Sequence, residues 1–182
     1  MNTEQEPVPL PRSDSRSPMK KHSPPKDAHD LHEVVIPKEN AVFWMDDRGR
    51  WHNRHGRFEH KRIIDYFNRS IGYDESGYYI TQIRGPVREK VYFRHADTPL
   101  FVFRIINADP LQLALNTGQT LALDPQQLFI KADQLYQRHG DQVIKFSERT
   151  LVDMAPYLED TPNGLVIRLN GQDFPIPECG TD

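Results

Sequence analysis

A single cysteine, Cys179, stands three residues from the end of the chain, so no intrachain disulfide can close and no cysteine-type metal site can assemble. That scarcity fits a reducing, cytoplasmic setting. An excess of one charge sign is also missing. Lys+Arg 23 against Asp+Glu 26 leave a net charge of -3, so no global field gathers nucleic acid or an anionic membrane. Any anion site must be local. Long hydrophobic runs are absent too: the most apolar stretch, around 99–106, is interrupted by Arg104 and is far too short to span a bilayer. At the N-terminus no basic region leads into an apolar one, so no secretory signal is expected. The sequence also lacks a Gly-x-Ser-x-Gly elbow, a phosphate loop and a dinucleotide fingerprint. The expectation is a soluble cytoplasmic protein that is not an enzyme and carries no cofactor.

What is present falls into two textures. Residues 1–37 hold Pro7, Pro9, Pro11, Pro18, Pro24, Pro25 and Pro37 among Ser, Lys, Asp and Glu. Such a segment buries too little apolar area to offset its chain entropy and reads as a disordered tail. It is either a solvated extension or, with polyproline geometry around Pro7 to Pro11, a docking segment for a protein partner. Roughly 140 residues remain, enough for one domain or two small ones sharing a core.

Beyond the tail the pattern is α+β, with mainly antiparallel sheets. Ala41-Val42-Phe43-Trp44-Met45, the turn residues Asp46-Asp47-Arg48-Gly49 and Arg50-Trp51-His52 make a hairpin. Ile63, Ile64, Phe67 and Ile71 recur at helical spacing and predict a helix over 59–71. Strands are expected over 78–83, 90–94, 100–106, 112–115, 120–123, 128–131, 134–137 and 142–145, with Asn116-Thr117-Gly118 as a turn. An internal repeat emerges when Phe58-Glu59-His60-Lys61-Arg62-Ile63-Ile64-Asp65 is laid on Phe146-Ser147-Glu148-Arg149-Thr150-Leu151-Val152-Asp153. His-Gly precedes each helix and an apolar strand follows it, so the unit reads as β-β-α-β used twice, over 38–109 and 110–177. Both helical stripes, Ile63, Ile64 and Phe67 and then Leu151, Val152 and Ala155, are expected to face a shared or equivalent core. Pro156 should kink the second helix or end its regular part.

The densest chemistry is Arg48 to Arg62, with Arg48, Arg50, Arg54, Arg57, Lys61 and Arg62 around Trp51 and Phe58. Guanidinium forks beside aromatic rings suit phosphates and stacked bases, so the alternative to a small-ligand protein is a nucleic-acid-associated one using residues 48–62. The plainer reading of the segment is a solvated hairpin rim, and a purely structural partner-binding module is the third alternative. His52, His55 and His60 share no single face, which argues against a metal site. Asp97-Thr98-Pro99 reads first as a strand-entry turn.

Several of these pieces occur in a characteristic order. Trp51-His52 precedes Gly56-Arg57-Phe58-Glu59-His60 and Phe67, followed by Gly77-Tyr78-Tyr79-Ile80, Asp97-Thr98-Pro99 and Asn116-Thr117-Gly118. Leu135-Tyr136, Lys145-Phe146-Ser147, Met154-Ala155, Gly171 and Phe174-Pro175-Ile176 complete the set. Over about 43–176 this order resembles the bacterial family catalogued as domain of unknown function 1285. The resemblance implies a duplicated two-part fold whose C-terminal half is pleckstrin-homology-like, a role in signalling, and a nucleotide-like small molecule bound between the halves. Carried onto this chain, it implies Trp51, His52, His60, Asp97 and Thr98 from the first half and Asn116, Lys145 and Arg149 from the second. Duplication and resemblance together predict that Trp51, His60, Lys145 and Arg149 line one pocket for a phosphate-bearing ligand, helped by a helix N-terminus.

Overall fold

The computed structural model describes residues 32–179, so the Pro-rich segment lies outside the described residues up to position 31. Its last part is not tail. His32–Ile36 forms strand β1, paired parallel along one edge of a sheet. The boundary expected at residue 37 therefore moves back, because the extended Val34-Val35-Ile36 finds main-chain partners there.

In chain order the first half continues with β2 (Phe43–Met45), β3 (Trp51–Asn53), β4 (Gly56–Arg57), helix α1 (Lys61–Arg69), β5 (Ile71–Asp74), β6 (Gly77–Arg84), β7 (Val87–Tyr92) and β8 (Arg94–His95). Then come β9 (Leu100–Ile106), β10 (Gln112–Leu115), β11 (Thr120–Ala122), β12 (Leu128–Lys131), β13 (Gln134–His139), β14 (Gln142–Phe146), helix α2 (Glu148–Met154), β15 (Leu158–Thr161), β16 (Gly164–Leu169) and β17 (Gln172–Pro175). The four sheets run β4-β3-β2-β8, β1-β7-β6-β5, β11-β10-β9-β14-β13-β12 and β15-β16-β17. Among the described residues no helix is long and apolar enough to cross a membrane.

The duplication is present and larger than the β-β-α-β unit read from the sequence. Three strands, a helix and three strands recur, as β2–β4, α1, β5–β7 and again as β12–β14, α2, β15–β17. The division at 109/110 does not separate the sheets. Strand β9 ends before it, yet β9 pairs with β14 in parallel and with β10 antiparallel. Side chains alternate across a strand, and β9 uses both faces. Leu100 and Val102 enter a core with Leu113, Ile144, Phe146, Met154 and Ile167, whereas Phe101 joins Phe43, Met45, Trp51, Ile80 and Phe93 in the other.

The helices bury narrower faces than their stripes predict. On α1, Ile64 and Phe67 pack on the first core and Asn68 is buried, while Ile63 is 46% exposed. On α2, Thr150 and Met154 are buried and Leu151 packs against the second core, but Val152 is 73% exposed and Ala155 is exposed too. The rotation follows from anchoring: Ser147 Oγ accepts from the Thr150 amide, and Thr150 Oγ1 donates to the Val102 carbonyl at 2.7 Å. Pro156 falls in a 3-10 turn, Ala155–Tyr157, directly after α2 ends. Met154→Ala should cost roughly 2–5 kcal/mol and Val152→Ala under about 0.5 kcal/mol in urea unfolding. The reverse order would misassign the buried face of α2.

Candidate functional site

On β12, β13 and β14, Leu128, Leu135 and Ile144 point into the second core. Period-2 alternation sends the residues after them to the opposite face. Cross-strand register then aligns Phe129, Tyr136, Lys145 and Phe101 in one row. Phe129 and Tyr136 stack with centroids 5.2 Å apart, and Lys145 Nζ lies 5.7 Å from the Tyr136 ring centre.

The β2–β3 turn caps this row. Asp46 Oδ1 accepts from the Arg48 and Arg50 amides at 3.0 and 2.8 Å, and its Oδ2 meets His52 Nε2 at 2.8 Å. Burial opposes ionisation of Asp46, yet the Arg50 amide, the His52 ring and the Arg48 amide outweigh it and hold its carboxyl below the usual range. Gly49 sits at φ +73°, against the Phe101 ring, which a Cβ would approach to 2.8 Å. Gly49→Ala therefore combines a left-handed backbone with overpacking and should cost at least about 2 kcal/mol, read as a fall in urea midpoint. A neutral result would show that the turn is free to move off Phe101.

Lys145 ties the two halves together. Its Nζ donates to the Asp47 carbonyl at 2.9 Å and lies 3.0 Å from Asp97 Oδ2, and the residue is only 8% exposed. Tyr136 donates its hydroxyl to the same Asp97 oxygen at 2.8 Å. Burial first, then the Asp97 hydrogen bond and the charges of Asp97 and Asp47, push the Tyr136 phenol well above its ordinary range, so it remains a donor.

Above this floor opens a cleft of about 610 Å³, within the range of small-molecule sites. Its walls carry five cations, Arg48, Arg50, Lys131, Lys145 and Arg149, and three acids, Asp47, Asp97 and Glu148. Lys145 is committed to Asp97, and Arg48 reaches Glu148 across solvent at 3.9 Å. Arg50, Lys131 and Arg149 make no ion pair among the described residues.

Of the eight positions the sequence singled out, Asp97, Lys145 and Arg149 line this cleft. The expected pocket shared by Trp51, His60, Lys145 and Arg149 does not form. Trp51 is 1% exposed, packed on Phe43, Phe67 and Phe93, with its Nε1 donating to Asn68 Oδ1 at 2.8 Å. His60 precedes α1 and lines a separate groove of about 290 Å³ with His55, Arg57 and Ile63. His52 stacks on Trp44 and supports the turn from behind. Thr98 donates to the Val143 carbonyl at 2.6 Å, and Asn116 bridges the Phe101 amide and the Pro99 carbonyl, so both serve the entry of β9. The basic segment is split in the same way, with Arg48 and Arg50 in the cleft and Arg57 and His60 in the groove. Lys131, Gln134 and Asp47 line the cleft without having been singled out as ligand positions. Period-2 alternation along β12 and β13 was the signal for Lys131 and Gln134, whereas Asp47 reaches the cleft from the β2–β3 turn.

No family model matches this sequence, and no curated protein does. Among solved structures, a DUF1285 family protein from Shewanella baltica OS155 aligns over 65% of this chain and 94% of its own, at 16% identity and a TM-score of 0.48. The crystal structure of a DUF1285 family protein from Silicibacter pomeroyi DSS-3 aligns over 80% of this chain and 84% of its own, at 12% identity and a TM-score of 0.56. At that identity the likeness is one of architecture: the chain has the fold of a DUF1285 family protein.

Proposed function

We propose that this chain is a binding protein for a small anionic ligand, held in the cleft between its two halves, and that it responds to that ligand without transforming it. One observation carries the reading: Arg50, Lys131 and Arg149, from three separate elements, line a single cleft with no carboxylate paired to them among the described residues, in a chain whose net charge is -3. Unpaired guanidinium and ammonium groups gathered against a mean acidic surface favour an anion. Binding without catalysis is favoured because the sequence carries no nucleophile elbow, phosphate loop or dinucleotide fingerprint.

A thermal-shift screen of phosphorylated and carboxylated metabolites tests it, since a native-state ligand raises the melting temperature by mass action. Arg149→Ala should weaken the hit by roughly ten- to a hundredfold, the loss of one charge-assisted contact. The residue is exposed, so the fold should be unaffected. Failure of every anion to stabilise the chain, or indifference of a hit to both Arg149→Ala and Arg50→Ala, overturns the proposal.

A further inference from the structure

Among the described residues three aromatic side chains border the cleft, and none of them offers a ring face to an occupant. Phe101 is 1% exposed beneath Gly49, Phe146 is 0% exposed in the second core, and Tyr136 is 3% exposed between Phe129 and Lys145. A nucleobase bound there would find no aromatic ring to stack on, although such stacking is the usual way a protein holds a base. Apart from Ala96 and Ala132, the remaining wall is polar and carries both signs. Beside the cations stand the Asp47 and Glu148 carboxylates and the Gln134 amide. Carboxylates repel a second acidic group on a ligand but accept hydrogen bonds from hydroxyls. Five lining cations against three acids leave an excess of two positive charges, and a phosphate monoester carries about -1.5 to -2 at neutral pH.

Building on the anion-binding reading above, we infer that the occupant is a sugar phosphate: one compact phosphate among Arg50, Lys131 and Arg149, and a hydroxylated body against Asp47, Gln134 and Glu148. The two ends of the ligand are recognised by different residues. Arg149→Ala removes a phosphate contact, whereas Asp47→Ala removes a hydroxyl acceptor and leaves intact the main-chain carbonyl that receives Lys145.

The test is calorimetric titration of the full chain with hexose and pentose monophosphates, AMP, inorganic phosphate, citrate and glucose. A sugar monophosphate should bind at least about tenfold more tightly than AMP, phosphate or citrate, with glucose silent. Asp47→Ala should lower sugar-phosphate affinity by about tenfold or more and leave inorganic phosphate unchanged, while Arg149→Ala weakens both. Tighter binding of AMP or citrate overturns the sugar-phosphate assignment and leaves the anion reading standing. Equal affinity for phosphate and sugar phosphate, or binding of glucose alone, removes the two-ended recognition. Binding of no probe at all sinks both readings.

Discussion

Trp51→Ala should destabilise the protein by about 3–5 kcal/mol, among the largest losses any single side chain here can cause. The indole is packed edge-on to Phe43 and Phe67 and tilted on Phe93, so its removal opens a cavity in the first core. It also strands Asn68 Oδ1, a buried acceptor whose donor is the Trp51 Nε1. Trp51→Phe separates the two effects: ring packing is largely kept, and the orphaned acceptor alone costs about 1–3 kcal/mol. Urea unfolding of both variants checks the partition. The anion affinity of the folded fraction should not change, because Trp51 does not border the cleft. A stable Trp51→Ala protein with weakened ligand binding would return this residue to the site.

Lys145→Ala should cost about 3 kcal/mol or more, since it leaves Asp97 half-buried without its counter-charge. The same change frees the Asp47 carbonyl and loosens the turn that forms one cleft wall. Asp97→Asn on the Lys145→Ala background should recover a large part of the loss, because the uncompensated charge is then gone. A double-mutant cycle measures the coupling. A coupling near zero, or a single-variant cost under about 1 kcal/mol, would mean that the halves are held by their cores alone.

Much of this architecture was readable in the residues, and the exceptions have physical causes. Strand β9 was bounded correctly because its apolar run is unbroken at the start and fenced by Asp97-Thr98-Pro99. Strands β15 and β17 were not seen: Leu158-Glu159-Asp160-Thr161 and Gln172-Asp173-Phe174-Pro175 are short and polar, and tertiary pairing decides them. Strand β5 was absorbed into the helix before it, because Ile71 continues the helical spacing of Ile63, Ile64 and Phe67. At the site, Asp97, Lys145 and Arg149 are named through the family resemblance, and from the residues alone only the position of Lys145 and Arg149 at the start of the second helix points there. Lys131 could not be picked out, because its sharing a cleft with Arg50 depends on how a hairpin turn of one half lies over a sheet of the other. Trp51, Thr98 and Asn116 misled for a shared reason: the groups that could hold a ligand are spent on internal hydrogen bonds or packing, which only the folded chain reveals.

Strand β9 gives Leu100 and Val102 to one core and Phe101 to the other, so any slide of half against half would throw a whole strand out of register. That shared strand acts as a weld in place of a hinge. The cleft is consequently preformed, and the exposed Arg48 and Glu148 pair belongs to its wall. Admission of a ligand then needs no domain closure, so the ordering cost of association is confined to a few surface rotamers. Affinity should then depend on dissociation rate more than on any slow conformational step, and association should remain fast and salt-sensitive.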